Sequence, residues 1–399
     1  MKQSMSWNRR RFVQWMGSSS LLCLMNSHAG RILFNKQRLT EDLSQAEFRF
    51  AYVSSMTQGI LVFAIEGEGW RLIENIASEK PSSLALHPNR KFLFAANEID
   101  TYQALPTGSV EAYGINSQNG RLTLINRQPL SLSATLPRHL AVSPNGDQLV
   151  VAMHGGGAYN VLPVNIDGRL GAISGILKEA GSGPDREHQD AAHPQRVMFD
   201  TTGRHLLSTD LGNDRLSVFS LAEDRISPMQ RTAARPGSGP HSIAIHPSGH
   251  FLYVANHLDT SLSCFGYDAA RGKILELLHR KPLSNSDISG KPRASALAIH
   301  PSGNFLYTPC FRSGKTCPVD TCLAVWRIHP FNGEPEPIQT LELTNHARIV
   351  HLASEHRHLF FLSHREDGVF RCDVDPSTGR LHRMEHLARA ASPTSFVMS

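Results

Sequence analysis

The chain has 399 residues, six cysteines, a hydrophobic fraction of 40% and a net charge of +5. Lys2, Arg9, Arg10, Arg11 and Arg31 supply that excess near the amino terminus, so the remainder is close to neutral and offers no basic surface for nucleic acid. The cysteines are too sparse for a disulfide-built scaffold, and the apolar content suffices to fill the core of one large closed domain.

Residues 1–30 read as a targeting segment. Asn8-Arg9-Arg10-Arg11-Phe12-Val13 fits the bacterial twin-arginine pattern, a weakly apolar run follows from Trp15 to Met25, and Ser27-His28-Ala29 fits a cleavage site. The run is too short to form a stable membrane span. The expectation is a protein handed to the twin-arginine export machinery and released to the periplasm or outside the cell. Residues 31–47 then read as a linker, and 48–399 as one folded domain.

From Phe48 onward the chain repeats itself. The clearest copy is IAIHPSGHFLYVAN from Ile243, with variants starting at Leu84, Leu140, Val197, Leu297 and Val350. The fourth positions, His87, Ser143, Asp200, His246, His300 and Ala353, step by 46 to 57 residues. Each copy has a short apolar run, a turn in which proline fixes φ and glycine accepts φ > 0, and then a β-branched and aromatic run, which together spell a hairpin. Alternating segments such as Asp214–Phe219 and Thr260–Phe265 supply outer strands. Repeating β units of this period predict an all-β fold, a β-propeller.

Phe48–Ile65 matches the second half of the repeat without its first strand, which brings the number of blades to seven. The missing strand is expected from the carboxy terminus, where Pro393–Met398 resembles Pro81–Leu86. Such a pairing closes the ring without an exposed edge.

Hairpin symmetry about the turn glycines places a candidate site at the end opposite the turns. It pairs His241 with His257, Gln195 with Leu211 and Ser295 with Phe311. Asn97, Glu98, His139, His154, His193, Asp210, Asn256 and Arg312 lie near the same ends, so one mouth of the channel is expected to gather polar groups from several blades. His87, His246 and His300 sit in the turns and are expected to satisfy local backbone groups. No cofactor is expected. Cys310, Cys317 and Cys322 lack Cys-x2-Cys metal spacing and suggest a disulfide stapling an inserted loop, and no spacing assembles a calcium set from Asn97, Glu98 and Asp210.

Leu136–Val164, His193–Leu221 and Gly237–Phe265 resemble the seven-bladed lactonase family, which includes 6-phosphogluconolactonase and the fungal-type carboxymuconate lactonizing enzyme. The most specific pieces are Asn97-Glu98, His139, Gly155-Gly156-Gly157, His193-Pro194, Asp210-Leu211-Gly212 with Asp214, and Gly239-Pro240. Family members commonly carry Gly-Pro-Arg-His and Asn-Glu-Leu where this chain has Gly-Pro-His241-Ser242 and Asn256-His257-Leu258, and a histidine where Gln195 stands. Arg312 corresponds to another family arginine.

The resemblance implies a hydrolase that opens a sugar lactone such as 6-phosphogluconolactone. His241 or His257 would be the base, Arg312 with His193 would supply the cation, and Asn97, Glu98, His139, His154, Gln195, Asp210 and Asn256 would hold substrate. The alternative is an exported propeller without catalysis, using the same rim to bind a ligand or a protein.

Overall fold

The computed structural model describes residues 49–66, 69–222, 225–283, 291–313, 321–343, 349–364 and 366–399, without the side chains of 291, 292, 310–313, 321, 349, 350 and 352. The targeting segment, the linker and the loop holding Cys317 lie outside the described residues. All regular elements described are strands, in seven sheets of four or five. No helix among them is long and apolar enough to cross a membrane.

The first strands of blades 2 to 7 are Pro81–Leu86, Pro137–Val142, Pro194–Phe199, Pro240–Ile245, the broken pair Lys291–Ala294 and Ala298–Ile299, and Ile349–Ser354. Blade 1 takes its first strand from the carboxy terminus. Pro393–Met398 pairs antiparallel with Phe50–Ser55, setting Phe396 opposite Val53 and Val397 opposite Tyr52. Neighbouring first strands touch around the ring and enclose a central channel.

Burial explains why the ring must close. The buried side chains form seven clusters, and each straddles two adjacent blades; Tyr52 and Val62 of blade 1 meet Leu93 and Tyr113 of blade 2, and Phe361 of blade 7 meets Tyr307 of blade 6. A blade alone would expose both faces. Two recurrent contacts fix the spacing between blades. His87 and His246 accept a local N–H at Nδ1, from Asn89 and Ser248, and donate from Nε2 to the carbonyls of Gly146 and Gly303 in the next blade, each at 2.9 Å. The turn histidines therefore serve the backbone of two blades at once.

The second contact sets an outer-turn glycine against the ring that opens the second strand of the preceding blade. Gly333 has φ +71°, and a Cβ there would lie 2.5 Å from the Phe251 ring. Its carbonyl also accepts the Tyr253 hydroxyl at 2.7 Å. Gly120, Gly168 and Gly379 meet Phe50, Phe92 and Phe305 in the same way.

The pairing at the mouth differs from simple hairpin symmetry by one residue. Pro240 pairs with Asn256 and Ser242 with Ala255, so His241 is left over as a β-bulge. Gln195 bulges likewise between Pro194 and Arg196, and Phe311 pairs with Arg293 rather than Ser295. Ser82, Arg138 and Thr394 occupy the equivalent positions, each directly after the proline that opens its strand. Proline cannot donate to a ladder, and a bulge beside it re-aims one side chain while leaving the rest in register.

The interblade lock predicts that Gly333→Ala destabilises the protein by about 1–3 kcal/mol, through left-handed strain and displacement of Phe251. Gly114→Ala should cost no more than about 0.5 kcal/mol, because its Cβ would meet nothing closer than 3.9 Å. Chemical denaturation of both variants checks the ordering, and equal losses would remove the lock.

Candidate functional site

Bulge residues from blades 3, 4 and 5 project toward one mouth. Arg138 makes the mouth's ion pair: its Nη1 lies 2.9 Å and 3.1 Å from the two carboxylate oxygens of Glu98. Burial pushes the Glu98 carboxyl above its ordinary range, against the pull of Arg138 and Lys80. Sequence symmetry singled out Glu98 and His139 but not Arg138 between the two blades' ends. The signal available was the proline before it, shared with Gln195 and His241.

His241 and His257 stack, with ring centroids 5.1 Å apart and planes 25° apart. His257 donates from Nδ1 to the Ala294 carbonyl at 2.6 Å, which orients the pair. The His241 Nδ1 is buried and has no hydrogen-bond partner among the described residues. Burial first, and then His257, Arg138, Arg196 and His154, hold its pKa well below the usual imidazole range. These neighbours come from three blades: His257 from its own blade, Arg196 from the adjacent blade 4, and Arg138 and His154 from blade 3.

A second stack joins blades 3 and 4. His154 and His193 lie 4.5 Å apart at 23°. The Gln195 amide nitrogen donates to the His154 Nδ1 at 2.8 Å and to the His193 carbonyl at 3.3 Å. That leaves the His154 hydrogen on Nε2, a neutral donor. Burial, Arg138 and His193 push its pKa down to about 3. His193 spends both nitrogens inside the fold, on the His154 carbonyl at 2.9 Å and the Asp190 carboxylate at 2.8 Å. It braces His154 rather than presenting a nitrogen to the opening.

Two carboxylates hold the chain that carries these rings. Asp210 Oδ1 accepts the N–H groups of His193 at 2.7 Å and Gly212 at 2.9 Å, and burial raises its pKa to about 6. Asp214, at φ +52°, accepts Gly237 N–H at 2.7 Å and Gly239 N–H at 2.8 Å, fixing the approach to His241. Asn97 and Asn256 face inward. The Asn97 amide binds Ser78, the Glu79 carbonyl and Glu111, and the Asn256 amide binds Ser261 and Ser263. Both stitch a blade and stand apart from the channel groups. Arg312 lies on Phe305–Ser313 opposite Pro292, and its side chain lies outside the described residues.

One layer deeper, His139, Arg196 and His351 face one another from blades 3, 4 and 7. Arg196 and His351 carried no sequence signal of a site. No group of three His, Cys, Asp or Glu side chains among the described residues is placed to hold a metal. The mouth therefore combines neutral imidazoles, a guanidinium and a carboxylate. That set can deprotonate water and stabilise an oxyanion.

The buried imidazoles make stability depend on pH. His139, His154, His241 and His351 all titrate below their unfolded value of about 6.5, so the unfolded chain binds protons that the native state refuses. Their contribution is complete above that value and declines as pH falls toward about 3, the pKa of His154 and His351. Asp210 acts oppositely, its contribution fading as pH rises from about 3.8 to about 6, and the raised carboxyls of Glu98, Glu355 and Glu366 act in its sense, but the lowered imidazoles of His246, His300, His358 and His386 add to the other side. The thermal midpoint should be lower at pH 5 than at pH 7, and His241→Gln with His154→Gln should flatten the slope. A midpoint that is flat or higher at pH 5 contradicts this.

The family described as "Lactonase, 7-bladed beta-propeller" matches residues 50–398. The chain is 25% identical over 286 residues to the 6-phosphogluconolactonase of Bacillus subtilis strain 168, covering 71% of this chain and 77% of that protein. It is 28% identical over 283 residues to the 6-phosphogluconolactonase of Formosa agariphila, covering 69% and 76%. Among solved structures, the periplasmic gluconolactonase of Pseudomonas aeruginosa superposes with TM-score 0.76 at 22% identity, covering 88% of this chain and 99% of that one. A Lactobacillus plantarum protein superposes with TM-score 0.77 at 19% identity, covering 88% and 100%. These last two likenesses concern the fold.

Proposed function

The chain belongs to the seven-bladed β-propeller lactonase family, and on that footing we propose that it is a lactone hydrolase opening a sugar lactone at the mouth that holds His241. The observation that carries the reading is a neutral imidazole, His241, whose Nδ1 has no partner among the described residues and which lies within electrostatic reach of Arg138, itself paired with Glu98. The relatives named 6-phosphogluconolactonase support the substrate class.

In the proposed reaction His241, held by its stack on His257, takes a proton from water as the water oxygen bonds to the lactone carbonyl carbon. The carbonyl oxygen becomes an oxyanion stabilised by Arg138 and by the Nε2–H of His154. Collapse of the tetrahedral intermediate breaks the bond to the ring oxygen, which takes the proton from the imidazolium, and a hydroxy acid leaves. Glu98 positions Arg138, while His193 and Gln195 fix the His154 tautomer. Arg312 is a further candidate cation from blade 6. A neutral base is the form needed near pH 7, and burial, helped by His257 and the surrounding arginines, keeps His241 in that form.

We also infer export. Asn8-Arg9-Arg10-Arg11-Phe12 motivates it, and an exported enzyme would meet unphosphorylated lactones rather than sugar phosphates. Cell fractionation should find the protein outside the cytoplasm, and changing Arg9 and Arg10 to Lys should retain it there; an unchanged distribution would end that inference.

Turnover of gluconolactone, 6-phosphogluconolactone and related lactones decides the main reading. The parent should hydrolyse at least one, and His241→Gln and Arg138→Met should each lower kcat about 10²–10³-fold with the fold intact. Parent protein silent on the whole panel, yet binding a lactone, would return the mouth to a binding role.

A further inference from the structure

We propose that the central channel contains a second site, beneath the lactone mouth, which binds a small carboxylate or similar monovalent anion between Arg196, His139 and His351. The proposal does not rest on the lactone reading, although Arg196 also acts electrostatically on His241.

Position comes first. His139 belongs to blade 3, Arg196 to blade 4 and His351 to blade 7. Blades 3 and 7 are not neighbours in the ring, so side chains from them interact only across the axis. Each of the three nevertheless lies within electrostatic reach of the others: Arg196 acts on both histidines and His351 acts on His139. All three follow a bulge position on their strands, and the bulge turns them into the channel.

Charge comes second. Arg196 has no ion pair and no side-chain hydrogen bond among the described residues, and its Nε is buried without a partner. The Nδ1 of His139 is buried and unpartnered as well, while the ring touches the Val197 backbone. No carboxylate acts on any of the three. Burial alone pulls the Arg196 guanidinium down to about 10, with nothing opposing it. Two arginines that brace the blades are treated differently: Arg231 sits on Glu179 at 3.0 Å and Arg127 on Glu79 at 3.2 Å.

A half-buried guanidinium with an orphaned Nε and no counter-ion among the described residues is short of partners, and its parallel N–H groups fit a planar carboxylate in two hydrogen bonds. Neutral His351 can add an N–H donor, and His139, whose one N–H is taken by the Val197 backbone, can donate from its unpartnered Nδ1 when it takes up a proton with the anion. His351 is held in place by an edge-on contact with Phe396, centroids 4.9 Å apart, so the cradle is built on the ring-closing strand. An anion there would tie blades 3, 4 and 7 together.

Formate and bromide are the probes. Thermal unfolding of the parent in sodium formate, against a bulky sulfonate buffer at equal ionic strength, should show a midpoint that rises with the logarithm of formate concentration by several degrees. Arg196→Met should lose that rise, and Arg196→Lys should keep part of it. Crystals of the parent soaked in bromide should show an anomalous peak between Arg196, His139 and His351, a readout independent of whether any variant folds. No formate effect on the parent, an undiminished effect in Arg196→Met, or bromide absent from this position would each overturn the proposal.

Discussion

A four-stranded blade has two apolar faces, and only a closed ring covers both, so the pairing of Pro393–Met398 with Phe50–Ser55 is the contact on which the rest depends. The closing strand does more than hide an edge. Phe396 packs with Ala51, Val53, Phe360 and Leu362 to seal blade 1 against blade 7, and its ring meets His351 inside the channel. Without it, residues far apart in the chain would have no common opening. Glu98 and Arg138 face His241 only because blades 2 through 5 are held at fixed angles by their neighbours.

The repeat determines which groups can differ. Turn histidines, turn glycines and buried aromatics do the same work in several blades. Each opening proline is followed by a residue that the ladder does not claim. Ser82, Arg138, Gln195, His241 and Thr394 fill those positions with different chemistry. A scaffold with near-symmetry thus presents an asymmetric mouth, and the asymmetry is confined to a few bulged residues and the ends of the strands beside them.

The architecture was largely legible in the sequence because hairpin turns and alternating strands are local signals. HPSG-type turns, seven second strands and the likeness of Pro393–Met398 to Pro81–Leu86 led to the ring and its closure. The mouth was legible only in part. Counting outward from the turn glycine sets His241 opposite His257, and a single bulge changes that register while leaving the two rings stacked. Arg138 escaped notice because its meaning comes from Glu98 in another blade. Arg196 and His351 become a unit only across the axis, which no spacing encodes. Asn97 and Asn256 stand at strand ends as polar residues, and their amide nitrogens are taken up within the blade, by Ser78, the Glu79 carbonyl and Glu111 for one and by Ser261 and Ser263 for the other. His193 was placed near the mouth, but its nitrogens are spent on a carbonyl and on Asp190.

Electrostatics give the account its chemical content. Burial first, and nearby arginines second, suppress the charge of the imidazoles, so the mouth keeps neutral bases beside a fixed cation. The central claim, that His241 and Arg138 handle a lactone together, is tested most directly by a crystal structure of the protein with a lactam analogue of gluconolactone, whose amide resists hydrolysis. The account predicts the carbonyl oxygen within hydrogen-bond reach of Arg138 and the carbonyl carbon facing the His241 ring. A lactam bound at the turn-glycine end of the channel, or at the mouth with its carbonyl turned away from both residues, would contradict it.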